Sequence, residues 1–529
     1  MDGSSDTIDE TRGSERGFAA AQRARLSRAR LHLTRSPLAH LPLGSVELDR
    51  IRPLPVEPWF PAVTATPSFA EDFYLGRYRL AGIPRERSYP PFETGSDDFE
   101  GEPRPWGEAL HGFGWLRPLA DEATPLARAN AQAFTQDWID GLGLALAHPA
   151  WEPVTAARRL DAWLTHHAWL VRDASGDFAQ ILTRSVLRHV RALRWMAGGL
   201  TGTARVEVGA VLALAHAALA TRPRGLAHVE AMLGGGEPDS LARLAPGPRE
   251  AMRLLCLLRR TASARDRVPP FLEGAIAALS RRCARLVHAD GRMAAFDGAG
   301  HLDPKLVAAA IGDTDAGEDG EAAQGSARRI AGAGDALAIV DGGGPFASAG
   351  AFEMSVAAGR IVVSCNVPER DGPLREALAG AAAHSTLDAP GEPLVERPLA
   401  RDGGTLRLTT RHGTLRHTRA LAFEAEGLTG IETIEASDEI DAGLRFHLHP
   451  HVTALGEGRH AVALTLAGPS GRTERWAFHC LDAPIALEET MIFAESAADY
   501  ATGIGRPSTQ IVVKWPSGVS EIRWMFVRH

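Results

Sequence analysis

The feature that most constrains this chain is a change in the period of its apolar residues near residue 320. From about 105 to 312, apolar positions recur every three or four residues, as in AARRLDAWLTHHAWL (156–170), the segment 178–195 and PFLEGAIAALSRRCARLVHA (270–289). That spacing puts one apolar stripe on each of a series of helices. Short breaks containing Gly or Pro separate them, and Thr124-Pro125 reads as a capping threonine followed by proline at the first helical position. Beyond the acidic, glycine-rich stretch 312–325 the period becomes two, in FEMSVAAGRIVVSCNV, TLRLTTRHGTLRHTRALAFEAEG and TQIVVKWPSG. All-helical chain followed by all-strand chain predicts two separately layered units rather than an interleaved α/β sheet.

The flanks divide the rest. Residues 1–20 are polar and acidic and are expected to form a disordered tail. Residues 21–104 are rich in proline (53, 55, 58, 61, 67, 84, 90 and 91), which favours extended, wrapping chain. The expected organisation is therefore a helical domain over 105–325 and an antiparallel β domain over 326–529.

Composition narrows the classes. With 529 residues the chain exceeds one ordinary core, and 45% hydrophobic with 23% charged residues is the balance of a folded globular protein. A net charge of -8 supplies no field for nucleic acid or an anionic membrane, so an acidic ligand needs a local basic patch. No run of roughly 18 apolar residues is present, so no membrane span is expected. Residues 1–20 lack a basic start followed by an apolar run, which predicts a cytoplasmic protein. The four cysteines are far apart and form no CxxC pair, so they read as buried thiols rather than a zinc ribbon or disulfide framework.

Several segments, in register over residues 70–529, carry a family likeness. They include FYLGRYRLAG (73–82), LHGFGWLRPL (110–119), HADGRMAAFDG (288–298), AFEMSVAAGRIVVSCN (351–366), AAAHSTL (381–387), GTLRHTRAL (413–421), RFHLHP (445–450) and RPSTQIVV (506–513). Together they resemble the heparinase II/III-like family, in its bacterial form without an export signal. The resemblance implies an incomplete (α/α) toroid followed by an antiparallel β-sandwich, and β-elimination on uronic-acid-containing glycans. In that reaction a base takes the C5 proton, an acid protonates the leaving oxygen and a third group neutralises the carboxylate. A periplasmic location is the alternative that the family suggests.

The family set is only partly present. Family lyases use a toroid tyrosine, yet the tyrosines here are Tyr74, Tyr78, Tyr89 and Tyr500, none of them within 105–312. Where the family carries a first histidine before a Phe-Glu strand, this chain has Ser348, whose hydroxyl cannot serve as a base at neutral pH. The family metal positions fall on Gly350, Cys365 or Asn366, and His384, which predicts no metal and no other cofactor.

The residues proposed for chemistry are His384 and His417, which match the family, with His189 and Arg184. Arg184, Arg188 and Arg191 follow i, i+4, i+7 spacing, so with Trp115 and Trp195 they are the candidates for gripping a sugar acid and stacking on its ring. The ordinary alternatives are a satisfied core histidine, a solvated helix face and core tryptophans. His447, His449 and His451 alternate along RFHLHPH and read as structural. The expected ligand is an acidic polysaccharide or oligosaccharide, with homodimer formation left open. The function is either a polysaccharide lyase with a rearranged catalytic set, a non-catalytic glycan-binding or scaffold relative, or an enzyme acting on an oligosaccharide or envelope precursor.

Overall fold

The computed structural model describes residues 51–55, 58–60, 68–92, 103–219, 247–265, 267–315, 327–344, 346–370, 372–436, 441–468 and 471–529. The expected tail 1–20, much of the proline-rich segment 21–104 and most of the acidic stretch 312–325 lie outside them. The chain divides into two compact units. One is bounded by Met1–Val63, Pro67–Glu237 and Leu257–Leu272, the other by Thr64–Thr66, Pro238–Cys256 and Glu273–His529.

The first unit is helical: α1 (Phe69–Tyr74), a small hairpin β1 (Arg77–Leu80) and β2 (Ile83–Glu86), then α2 (Arg104–His111), α3 (Leu116–Glu122), α4 (Pro125–Leu142), α5 (Pro153–Leu170), α6 (Gly176–Met196) and α7 (Gly202–Ala218). Local signals start these helices. The Thr124 hydroxyl accepts the Ala127 amide at 3.1 Å with Pro125 at the first helical position, and Ser175 accepts from Phe178 at the start of α6. The core is aromatic, with Trp115, Trp138, Trp151 and Trp163 all fully enclosed. Burying a large side chain of this kind contributes roughly 1.5–3 kcal/mol. The unit boundaries at 256/257 and 272/273 fall inside α8 (Pro248–Ser263) and α9 (Pro270–Ala284).

The second unit, which also holds α10 (Pro304–Ile311), α11 (Pro373–Leu378) and α12 (Ala497–Thr502), is built on two eight-stranded antiparallel sheets. One runs β13 (Val452–Gly456), β14 (Ala461–Ala467), β15 (Thr473–Cys480), β18 (Glu521–Arg528), β11 (Gly427–Glu435), β10 (Leu415–Phe423), β9 (Thr405–His412) and β8 (Pro393–Asp402). The other runs β16 (Ile485–Ile492), β17 (Arg506–Lys514), β12 (Gly443–Leu448), β6 (Gly359–Val363), β5 (Phe352–Val356), β4 (Leu337–Val340) and β3 (Arg328–Ala331), with β7 (Leu387–Asp388) paired to β12. Inward residues of both sheets, among them Phe352, Phe446, Phe478, Trp524 and Phe526, fill one sandwich core. The two periods therefore resolve into a helical part followed by a β-sandwich. No described helix is long and apolar enough to cross a membrane.

Candidate functional site

In the helical unit the basic stripe exists. Arg184 is exposed, Arg188 and Arg191 are half-buried, and Trp195 is 45% exposed one turn further along α6. The Arg188 guanidinium donates to the Gly143 carbonyl at 3.1 Å, and burial lowers its pKa. The same helix turns His189 inward, where it is 0% exposed. Its ring stacks on Trp151 at 4.3 Å and lies edge-on to Trp163. Nδ1 donates to the Ser185 carbonyl at 2.8 Å and Nε2 accepts from Arg159 Nε at 2.9 Å, which fixes a neutral tautomer. Burial, then the Arg159 charge, hold the His189 pKa well below the usual range. Trp115 is likewise enclosed, donating to the Leu110 carbonyl and packed on Phe73 and Phe113. Both differ from the roles expected of them: an imidazole closed in a tryptophan cage meets no substrate, and a fully buried indole offers no face to a sugar.

In the sandwich unit β10 alternates, with Leu415, His417, Arg419 and Leu421 turned inward. His417 Nε2 lies 2.7 Å from Glu432 Oε2 on the neighbouring strand β11. Glu432 also accepts from Arg419 Nε at 2.8 Å and from the Trp524 indole at 2.9 Å. Although burial works against its charge, these three donors hold Glu432 below the ordinary carboxylate pKa. Arg419 reaches on to the carbonyls of Gly350 and Ser385 at 2.7 and 3.0 Å, tying the two sheets together beside His384. His384 itself is 1% exposed, and neither ring nitrogen makes a well-formed hydrogen bond. Burial, then the neighbouring His447, depress its pKa to about 3. His384 and His417 are both enclosed.

Ser348, at the position of the family histidine, donates to Asp341 Oδ2 at 2.6 Å. Asp341 also accepts the Gly343 amide at 3.1 Å, and Asp297 accepts the Phe346 amide at 3.2 Å. Burial, then the charge of Asp297, push Asp341 up to about 8; burial also pushes Asp297 up to about 6. Sequence reasoning missed both aspartates. Each is followed by glycine, in FDG and DGGG, and such a dipeptide reads as a turn.

Two of the RFHLHPH histidines, His447 and His449, are held by internal partners. His447 Nε2 meets the Ala382 carbonyl at 3.0 Å, and His449 pairs with Glu495 at 3.1 Å. Among the described residues no group of three or more His, Cys, Asp or Glu is placed to hold a metal ion.

A helical part joined to a two-sheet sandwich is the architecture of polysaccharide lyases of the heparinase type. Heparinase III superposes with a TM-score of 0.61 at 11% identity, covering 97% of this chain and 90% of its own. A heparan sulfate lyase HepC mutant from Pedobacter heparinus gives 0.57 at 11% identity, covering 99% and 91%. Residues 330–525 match the family model described as heparinase II/III-like, C-terminal, so the sandwich is a heparinase II/III-like domain and the resemblance drawn from the sequence holds. FtsZ-localized protein C of Caulobacter vibrioides is 26% identical over 501 residues, 83% of this chain and 84% of that protein.

Proposed function

We infer that this chain is a glycan-binding relative of the heparinase II/III-like lyases that does not carry out imidazole-driven β-elimination. The observation that carries this reading is the enclosure of His417 and His384. A general base must reach the C5 proton with a pKa near the working pH. His417 is 4% exposed and engaged with Glu432, while His384 is 1% exposed with its pKa near 3. The stripe Arg184, Arg188, Arg191 and Trp195 supports retained binding: guanidinium forks match carboxylates or sulfates, and an exposed indole stacks on a sugar ring.

The test is to incubate the purified protein with a panel of acidic polysaccharides and oligosaccharides, recording both binding and the ultraviolet absorbance of unsaturated uronate. Binding without new absorbance is expected. A rise that His384→Ala or His417→Ala abolishes would instead establish a lyase.

A second reading, a scaffold role at the division site, is supported by the likeness to a protein named for its localisation with FtsZ. A fluorescent fusion that follows the FtsZ ring is expected; a signal that stays diffuse while rings form rules it out.

A further inference from the structure

The two sheets of the sandwich end in four edge strands, and three of them offer little to further pairing. β8 carries Pro393 and Pro398 and two register shifts against β9. β13 has five residues and β3 four. A proline, a bulge or a short run each denies a neighbour a continuous line of amides and carbonyls. β16 has none of these features. Its eight residues, Ile485–Ile492, pair with β17 in unbroken register. Among the described residues, 486–492 make no backbone hydrogen bond beyond those to β17.

The face that β16 turns toward the core is also uncovered. Ile485 lies opposite Val513 and Leu487 opposite Ile511, and both partners are fully buried. Ile485 packs on that core, yet Leu487 is 37% and Met491 41% exposed, with Glu489 exposed between them. On the other face, Glu488 is already held by Arg445 at 3.6 Å and Gln510 at 3.4 Å. Glu489 has no charged partner among the described residues.

We propose that β16 is a strand-addition site for an extended segment of a partner protein whose side chains run apolar, any, basic, any, apolar. A strand laid along β16 puts every second side chain directly opposite Leu487, Glu489 and Met491. Apolar residues at the two ends take Leu487 and Met491 out of water, and an arginine or lysine between them meets Glu489. The edge amides and carbonyls supply affinity without reading sequence. An inward-turned charge bars indiscriminate pairing and admits a strand that neutralises it. A second copy of this chain is a poorer occupant. Antiparallel self-pairing that matches Leu487 with Met491 sets Glu489 against Glu489, where like charges repel, and sliding by two residues sets the acid against Leu487 or Met491 instead. The surface makes no use of the α6 stripe, so it is independent of glycan binding.

The probe is a blocked peptide in which leucine, arginine and leucine alternate with threonine, titrated into the full chain. Binding is expected, with slower hydrogen exchange in β16 and unchanged exchange in β8. Methylating the peptide's backbone nitrogens is expected to abolish binding, a comparison that needs no protein variant. Replacing the arginine by glutamate is expected to abolish it as well. Glu489→Lys, at an exposed position, is expected to weaken the arginine peptide by roughly fivefold and to admit the glutamate peptide. No binding up to roughly millimolar concentration overturns the proposal. So does equal binding of the methylated or glutamate peptide to wild type, or a wild-type dimer that protects β16 and excludes the peptide.

Discussion

His417 Nε2 and Glu432 Oε2 lie 2.7 Å apart inside the sandwich, with Arg419 and Trp524 completing the shell of the same carboxylate. The pair joins adjacent strands: β10 sets Arg419 opposite Glu432 and His417 opposite Ile434, so one acid serves two inward residues of the next strand. A histidine in this position is a structural donor, and its counter-ion is the group on which the network depends.

Glu432→Ala is accordingly expected to cost about 3–5 kcal/mol, because it strands the buried Arg419 guanidinium without its acid. Glu432→Gln retains the shape and is expected to cost less. Denaturant unfolding checks both. The folded pKa of Glu432 is depressed, so its contribution is present above the unfolded value of 4.5 and is lost as pH falls through the lower folded one. The wild-type advantage over Glu432→Gln should therefore shrink on acidification below 4.5, and an advantage that grows there would contradict the assignment.

His189 gives the opposite expectation to a catalytic residue. Removing the imidazole opens a cavity among Trp138, Trp151 and Trp163 and deprives Arg159 Nε of its acceptor. His189→Ala is expected to destabilise by about 2–4 kcal/mol. Glycan affinity should remain within about twofold, since free energy of that origin is not exchanged with ligand. Thermal unfolding paired with a binding titration separates the two, and lost affinity at unchanged stability would restore His189 to the site.

The layers were legible because period reports burial: a switch from helical to alternating spacing becomes a helical core and then a sandwich. Thr124-Pro125 was legible for the same local reason, since a cap needs only its own next three residues. The site was less so. His189 is a core residue because tryptophans from α4, α5 and the turn Pro149–Trp151 converge on it, and no window of sequence contains all three. Trp115 and Trp195 share a residue type but have opposite fates, 0% and 45% exposed, because Trp115 sits in an aromatic-packed turn before α3 while Trp195 lies on the exposed side of α6. Glu432 partners His417 through strand register, and Asp297 meets the stretch after Asp341 through tertiary folding alone.

The α6 stripe should behave as a surface. Arg184→Ala is expected to leave stability within about 0.5 kcal/mol while weakening binding of a bound acidic glycan by roughly tenfold, the value of one charge-assisted hydrogen bond. Arg188→Ala is expected to cost some stability as well, because its guanidinium satisfies the Gly143 carbonyl. Both losses of affinity should narrow as salt is raised. Isothermal titration at two salt concentrations provides the check, and salt-independent affinity would place the ligand elsewhere.

Gly344 tests whether the Asp297 carboxylate and the chain facing it truly share one space. An added Cβ would overlap both carboxylate oxygens, so Gly344→Ala must push the chain or the turn aside and is expected to cost about 1–3 kcal/mol. Replacing Asp297 by alanine removes the obstructing atoms along with the acceptor of the Phe346 amide. In the Asp297→Ala background, therefore, the added methyl should cost little, and the double variant should be more stable than the sum of the two single effects predicts. A double-mutant cycle on unfolding free energies measures that difference. Simple additivity would mean that the two residues do not contend for the same volume, and would remove the steric half of the grip that Asp297 exerts.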